Sequence, residues 1–264
     1  MKIHPTALVA EQAQIARDVE IGPHAIIGPE VSLGEGCVVH GMAVIEGKTT
    51  IGENSFIGYG AALGAPPQDF AFKDEVRSEL RVGKRSALRE YVTVHRGSKD
   101  GSATVVGDDC SLLAGSHLGH NVRLGNKVTI SNNCLLGGYV EVGDGSVLGA
   151  GCAFHQFLRV GRLSVVSSGA RSRKDIPPYV SVAANNTLAG INAAGLQQAG
   201  WTAEAQAEIL RAFLLVYGSH LNVSQALEKS KETSWSPEAS AFFDFIASSK
   251  RGVWSGRRWK KPAP

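Results

Sequence analysis

The chain places two histidines three residues apart in Ser116-His117-Leu118-Gly119-His120, and a third, His155, beside Gln156. Gln156 follows His120 by 36 residues, and Gly138 stands midway, 18 from each. Histidine is the side chain suited to taking and returning a proton near neutral pH. Glycine has no side chain to keep a reacting carbonyl off its backbone N–H, which suits an oxyanion donor. The two together suit a general base beside an oxyanion donor. That chemistry requires His120 and Gly138 to meet, so the elements carrying them must have an 18-residue period.

The sequence has one. An aliphatic residue recurs at every sixth position from Ile3 to Leu63, resumes at Val82, Leu88 and Val94, and runs from Val106 to Val166 with Phe154 as one member. Neither a helix nor an ordinary strand has period six; a hexapeptide solenoid does. Each hexapeptide supplies a short strand and a corner, and glycine often follows the aliphatic residue, where freedom at positive φ is expected to ease the turn. Three hexapeptides make one coil, so residue i+18 stacks on residue i about 4.8 Å away. His120, Gly138 and Gln156 then form one column, and alternation about inward Leu118 puts His117 and His120 outside.

The fold class expected is mainly β: a parallel β-helix over 1–185, interrupted by loops at 64–81 and 95–105, with the repeat stopping near Val166. From about Asn185 the spacing turns helical, giving a small domain over 186–264. Thr202 is expected to cap a helix burying Ile209, Leu210, Phe213, Leu214 and Tyr217; Ser236-Pro237 starts a second that ends near Gly252. Cys37, Cys110, Cys134 and Cys152 each fall four residues after a repeat aliphatic, which marks them as small interior or corner residues and not a metal site. The chain lacks an apolar run long enough to span a membrane, and Met1-Lys2-Ile3-His4-Pro5 enters the repeat at once, so a cytoplasmic location is expected. The formal charge is +3, but Lys250, Arg251, Arg257, Arg258, Lys260 and Lys261 carry six positive charges, leaving the rest net negative. Six charges on one terminus are too few to argue for nucleic acid.

Several strings together resemble one family: Pro67-Gln68-Asp69, His95-Arg96-Gly97, His117-Leu118-Gly119-His120, Ser131-Asn132-Asn133, His155-Gln156-Phe157 and Asp175-Ile176-Pro177-Pro178-Tyr179-Val180. In this order, with both loops and a helical C-terminus, they resemble the UDP-N-acetylglucosamine acyltransferases of lipid A biosynthesis along nearly the whole chain. The resemblance implies a left-handed solenoid and a homotrimer with active sites between neighbours. It implies transfer of a 3-hydroxyacyl chain from acyl carrier protein to the sugar 3-hydroxyl of UDP-N-acetylglucosamine, without metal or other cofactor. His120 matches the general base and Gly138 the backbone oxyanion donor. Gln68, Asp69, His95, His117, His155, Gln156, Ser168, Asn192 and Gln198 match positions lining the substrate cleft, and Ser168, where glycine is common, implies a shorter acyl chain.

Departures cluster at substrate contacts. Ala71 replaces a lysine, Asn121 replaces the aspartate after the catalytic histidine, and Tyr139 replaces a histidine. Ala194 and Gln198 stand where a glutamate and an arginine usually meet the nucleotide, and glutamine cannot reproduce an arginine's charge-assisted bonds to a diphosphate. Lys73, Arg77 and Lys84 are the candidates to restore the lost cation. Alternative readings are a paralogue acylating another sugar nucleotide or amino sugar, and a trimeric scaffold of little activity. A zinc hydratase on the same solenoid is disfavoured, because His117-x-x-His120 is tighter than that family's histidine pair. The basic tail is one candidate surface for docking an acidic carrier protein.

Overall fold

The computed structural model describes residues 1–183 and 187–254. Among them, short strands assemble into three sheets of 11, 9 and 8 strands, parallel and stepping by three along the chain except at the C-terminal end of the first. The first sheet begins with Lys2–Ile3, the second with Leu8–Val9 and the third with Gln14–Ile15. Successive strands thus belong to successive faces of a three-sided left-handed parallel β-helix. The register is that of the repeat: Leu118 pairs with Leu136 and Leu136 with Phe154 in the second sheet, and Leu124 pairs with Val142 in the third. The inward residues from Ile21 to Val166 are buried in one continuous core, while Ile3, Val9 and Ile15 are more open at the N-terminal end of the coil.

Two features of the repeat differ from expectation. Apart from Gly64, the glycines after the inward aliphatics are not there for positive φ, which at most corners falls instead on residues such as Asp18, Asn54, Tyr139 and Phe157. They are there for space: a Cβ on Gly143 would lie 2.5 Å from Arg162 N, and one on Gly161 2.2 Å from Pro178 N in the next coil. The repeat also continues past Val166, because Ser172 pairs with Phe154 and Val182 with Val166. An inward serine hides that turn from an aliphatic pattern.

The cysteines are explained by the corners. Cys37, Cys110 and Cys134 donate to the carbonyls of Gly52, Gly125 and Gly149 at 3.1, 3.1 and 2.8 Å. Ser55, Ser86 and Ser146 make the same bond at 3.0, 2.9 and 2.8 Å, to Gly83, Gly107 and Gly161. A small buried donor is therefore what the position requires, and burial pushes the Cys110 thiol up to about 11.

Both loops are shorter than the sequence suggested. Strands Ala62–Ala65 and Glu79–Val82 bracket the first, and Thr93–His95 and Ala103–Val106 the second, leaving 66–78 and 96–102. The boundary placed at 185/186 lies outside the described residues. After it comes strand Leu188–Ile191, antiparallel to Val180–Val182, and only then helices α1 (Ala193–Gln198), α2 (Ala203–Tyr217), α3 (Val223–Ser230) and α4 (Pro237–Ala247). Thr202 caps α2 and Ser236 caps α4 as expected, but α4 stops at Ala247, short of Gly252, and Leu210 turns outward while Ala212 and Val216 join the buried face. Helix α3, entered through an Asn222/Gln225 capping box, was not anticipated.

The segment after α4 is fastened to the solenoid. Asp175, 1% exposed, accepts from Arg159 N and Nε at 2.9 and 3.1 Å and from Ser249 Oγ at 2.8 Å. Arg159 also lies over the Phe245 ring, 4.3 Å from its centroid. Asp175 N donates to Gly252 O, and Trp254 N to Asp175 O. Of the basic tail, Arg257, Arg258, Lys260 and Lys261 lie outside the described residues.

Candidate active site

The column read from the sequence is present at the corner after the second sheet. His117, Leu135 and Ala153 stack in register, and His120, Gly138 and Gln156 follow two residues past the inward Leu118, Leu136 and Phe154. A Cβ on Gly138 would lie 2.6 Å from both Nε2 and Cε1 of His120, so the imidazole rests on the bare Cα of the next coil. At three corners after the third sheet the backbone N–H at this position is capped by the next coil. Lys84 N, Asp108 N and Asn126 N each donate at 2.8 Å to the side-chain Oδ1 of the next coil, from Asp108, Asn126 and Asp144. Gly138 N–H has no acceptor among the described residues. An open donor therefore stands beside a histidine ring.

His120 is held in one tautomer. Its Nδ1 lies 2.9 Å from Asn121 Oδ1. The amide is oriented by Ser98 of the second loop, whose N and Oγ donate to the same oxygen at 3.0 and 2.9 Å. A backbone N–H can only donate, so Oδ1 faces both groups and His120 Nδ1 must carry the proton. Nε2 is left with its lone pair above Gly138. Asn121 is 7% exposed, its own N–H donates to Thr104 Oγ1 at 2.7 Å, and Tyr139 OH meets Ser98 Oγ at 3.2 Å. Tyr139 stands edge-on to His120 and stacks on Phe157, 4.8 Å between centroids. Asn121 thus retains the orienting bond that an aspartate would make, without the charge. Ser98 and Thr104 went unnoticed in the sequence, where isolated small hydroxyls carry no pattern.

A cavity of about 640 Å³ opens on the second sheet beside this corner, lined among others by Gln68, His117, His155, Leu135, Arg171 and Arg173. His117 Nδ1 and Thr93 Oγ1 are 2.8 Å apart, and the ring lies 5.2 Å from that of His95. Burial, with the nearby His95 adding to it, pushes His117 down to about 4. His95 is itself buried and bonded to Pro66 O, so it anchors the first loop. Asp69 is exposed and bonded to Ala71 N at 3.0 Å within that loop. Gln156 O and His155 meet a residue from the far end of the chain, Arg251, whose Nη2 is 3.0 Å from Gln156 O and 3.5 Å from His155 Nδ1.

The remaining expected residues lie elsewhere on the chain. Asn192 caps α1: Oδ1 accepts from Gly195 N at 3.1 Å, and Nδ2 donates to Leu163 O at 2.9 Å. With Ala194 and Gln198 it borders a separate cavity of about 860 Å³, where Lys127, Asp144 and Arg162 supply the charge. Lys73, Arg77 and Lys84 do not line it; Arg77 N is bonded to Asp100, and Lys84 is paired with Glu53. Ser168 is an exposed corner residue between the first and second sheets.

Two outcomes follow from these environments. Asn121→Asp places a carboxylate against His120 Nδ1, favours the imidazolium, and moves the acid limb of the pH–rate profile to higher pH; an unmoved limb would contradict the clamp. Because His117 is held down to about 4 by burial, the unfolded chain binds its proton first as pH falls, so stability present above about pH 6.5 is lost toward pH 4. In melting curves across that window, His117→Gln should show a shallower fall in Tm than the parent chain.

Comparison with known proteins agrees with the geometry. Residues 175–254 match the family model "Udp N-acetylglucosamine O-acyltransferase; Domain 2", and 103–138 match the bacterial transferase hexapeptide repeat. The acyl-acyl-carrier-protein–UDP-N-acetylglucosamine O-acyltransferase of Ralstonia nicotianae is 48% identical, over 96% of this chain and 97% of its own; that of Burkholderia orbicola is 40% identical, over 96% and 98%. The UDP-N-acetylglucosamine acyltransferase structure from Bacteroides fragilis superimposes with a TM-score of 0.91 at 35% identity, covering 95% of this chain and 99% of that one. The one from Acinetobacter baumannii gives 0.90 at 33%, covering 95% and 98%. With identity of this order along almost its full length, the chain belongs to the acyl-acyl-carrier-protein–UDP-N-acetylglucosamine O-acyltransferase family.

Proposed function

We propose that the chain transfers a 3-hydroxyacyl group from acyl carrier protein to the sugar 3-hydroxyl of UDP-N-acetylglucosamine, in lipid A biosynthesis. The observation that carries the reading is the His120 ring, its Nδ1 held by Asn121 Oδ1, resting on Gly138 beside that residue's open N–H. Nε2 takes the proton of the sugar hydroxyl as its oxygen attacks the thioester carbonyl. The carbonyl oxygen becomes an oxyanion facing Gly138 N–H. Collapse breaks the carbon–sulfur bond, and the departing thiolate recovers the proton from Nε2. The Asn121 amide keeps Nδ1–H in place throughout, while Gln68, His117 and Gln156 line the approach.

The same reading makes the working unit a homotrimer. His120 occupies the corner after the second sheet, whereas Gln198 and Asn192 border the first sheet and the corner that precedes it. One chain keeps these halves apart, and a neighbour can supply the second half. Large apolar side chains on the outer face of the second sheet, Leu8, Ile26 and Leu135, are exposed in the single chain and suit burial against another copy. None of the described helices is long and apolar enough to cross a membrane, and an acyl carrier protein donor supports a cytoplasmic reaction. Retention of the His120–Gly138 column speaks against an inert scaffold, and family identity along the whole chain speaks for UDP-N-acetylglucosamine over another acceptor.

The test is acyl transfer from 3-hydroxyacyl carrier protein to UDP-N-acetylglucosamine. His120→Ala should lower kcat by about 10²–10⁴-fold with an unchanged circular dichroism spectrum. Undiminished turnover in the variant would overturn the assignment of the base. Absence of turnover by the parent chain, with transfer to a different sugar nucleotide, would overturn the acceptor.

A further inference from the structure

A second column runs beside the one that carries His120. Asn121, Tyr139 and Phe157 follow one another at 18-residue steps, and the rings of Tyr139 and Phe157 stack 4.8 Å apart and 12° from parallel. We infer that the hydroxyls of Ser98 and Tyr139 position the base of the transfer reaction, acting on His120 through Asn121, so that a chain of neutral hydrogen bonds gives the hold a carboxylate would otherwise supply. The inference rests on the acyl-transfer reading and extends it to two side chains that take no part in its steps.

The chain of bonds runs one way. Ser98 N–H can only donate, at 3.0 Å, so the Asn121 atom facing it is the carbonyl Oδ1. An amide oxygen can only accept, so the Ser98 hydroxyl, 2.9 Å away, gives Oδ1 its one hydrogen. With that hydrogen spent, Tyr139 OH, 3.2 Å from Ser98 Oγ, is the donor between those two. At the other end Oδ1 faces His120 Nδ1 at 2.9 Å and holds the ring proton there. A solvated imidazole carries its proton mostly on Nε2, which would leave the edge over Gly138 no lone pair for a sugar hydroxyl. The bond made at the other nitrogen selects the form. Turning the Asn121 amide over would present its NH2 to Nδ1 and select the wrong one, and the two donors of Ser98 oppose that turn.

Each link is fixed from outside. Asn121 is 7% exposed, and its N–H donates to Thr104 Oγ1 at 2.7 Å. Ser98 sits between Gly97, whose N–H donates to Glu79 O at 3.2 Å, and Lys99, whose N and O are both bonded to Ser102 Oγ, at 3.0 and 2.7 Å. Tyr139 N donates to His120 O and Phe157 N to Gly138 O, so the ladder sets the height of both rings. The Tyr139 ring stands at 87° to the imidazole, 5.2 Å between centroids, with its hydroxyl on Ser98.

Ser98→Ala, Ser98→Thr, Tyr139→Phe and the double variant of Ser98→Ala with Tyr139→Phe test this in steady-state transfer from 3-hydroxyacyl carrier protein to UDP-N-acetylglucosamine. Nitrogen NMR of histidine-labelled protein reads the tautomer of His120 alongside. Ser98→Ala is expected to lower kcat roughly tenfold and Tyr139→Phe about threefold, with both KM values within about twofold of the parent chain. Ser98→Thr returns the hydroxyl and should keep most of the parent kcat. Because the Tyr139 hydroxyl works through Ser98, the double variant should be no slower than Ser98→Ala alone. The His120 resonances should be those of the Nδ1–H form in the parent and move toward the Nε2–H form in Ser98→Ala. Losses that multiply in the double variant, a loss confined to KM, a Ser98→Thr protein as slow as Ser98→Ala, or a tautomer unmoved by Ser98→Ala would each overturn the proposal. A parent chain without turnover would sink the transfer reading instead, and the tautomer in parent and variant would still test the positioning.

Discussion

Everything at the site depends on the backbone ladder that places residue i+18 on residue i. Parallel strands only two residues long have little stability of their own; they persist because each is bonded to the coils before and after it and buries its aliphatic residue in a shared core. The ladder leaves little freedom along the axis. An outward side chain therefore meets its counterpart one inter-strand spacing away, and a small residue in the column becomes a slot for the side chain before it. Gly138 is such a slot, and the His120 ring fills it. A flexible loop could bring a base and a donor together only at a cost in ordering entropy, which the solenoid has already met in folding.

Within that frame, orientation is supplied by a neutral amide. Asn121 Oδ1 is pinned by the N–H and hydroxyl of Ser98, and through it the proton of His120 is assigned to Nδ1. A carboxylate in this place would do the same and would also stabilise the imidazolium that the proposed base would form. The second loop, which the repeat ejects at 96–102, is thereby bonded to the proposed reaction centre, and Tyr139 touches both Ser98 and the histidine ring. The departures Asn121 and Tyr139 form one bonded group with Ser98.

The sequence revealed the β-helix and the column because a six-residue period is a strong signal and stacking follows from it arithmetically. It misled about Ser172, where an inward serine continues the coil, and about the glycines, whose role is set by the distance to the next coil and so is invisible in one dimension. The strand before α1, and α3 with its Asn222 cap, were too short to show a period. Arg251 was legible only as one of six tail charges. Its place beside Gln156 depends on a fold-back through Asp175, a contact between residues 74 to 79 positions apart in the chain. Ser98 and Thr104 carry no pattern at all, since their importance lies in which oxygen they meet.

The central claim is that the imidazole of His120 and the N–H of Gly138 act as one unit because nothing stands between them. Gly138→Ala tests it most directly, since φ at this residue is not in the left-handed region and the three atoms nearest the added methyl all belong to the His120 ring. Measured in acyl transfer to UDP-N-acetylglucosamine, the account predicts a kcat lowered by about 10²–10³-fold, with the melting temperature of the solenoid unchanged. A kcat within about twofold of the parent chain would contradict it, because a methyl group could then occupy the slot without disturbing either the base or the donor.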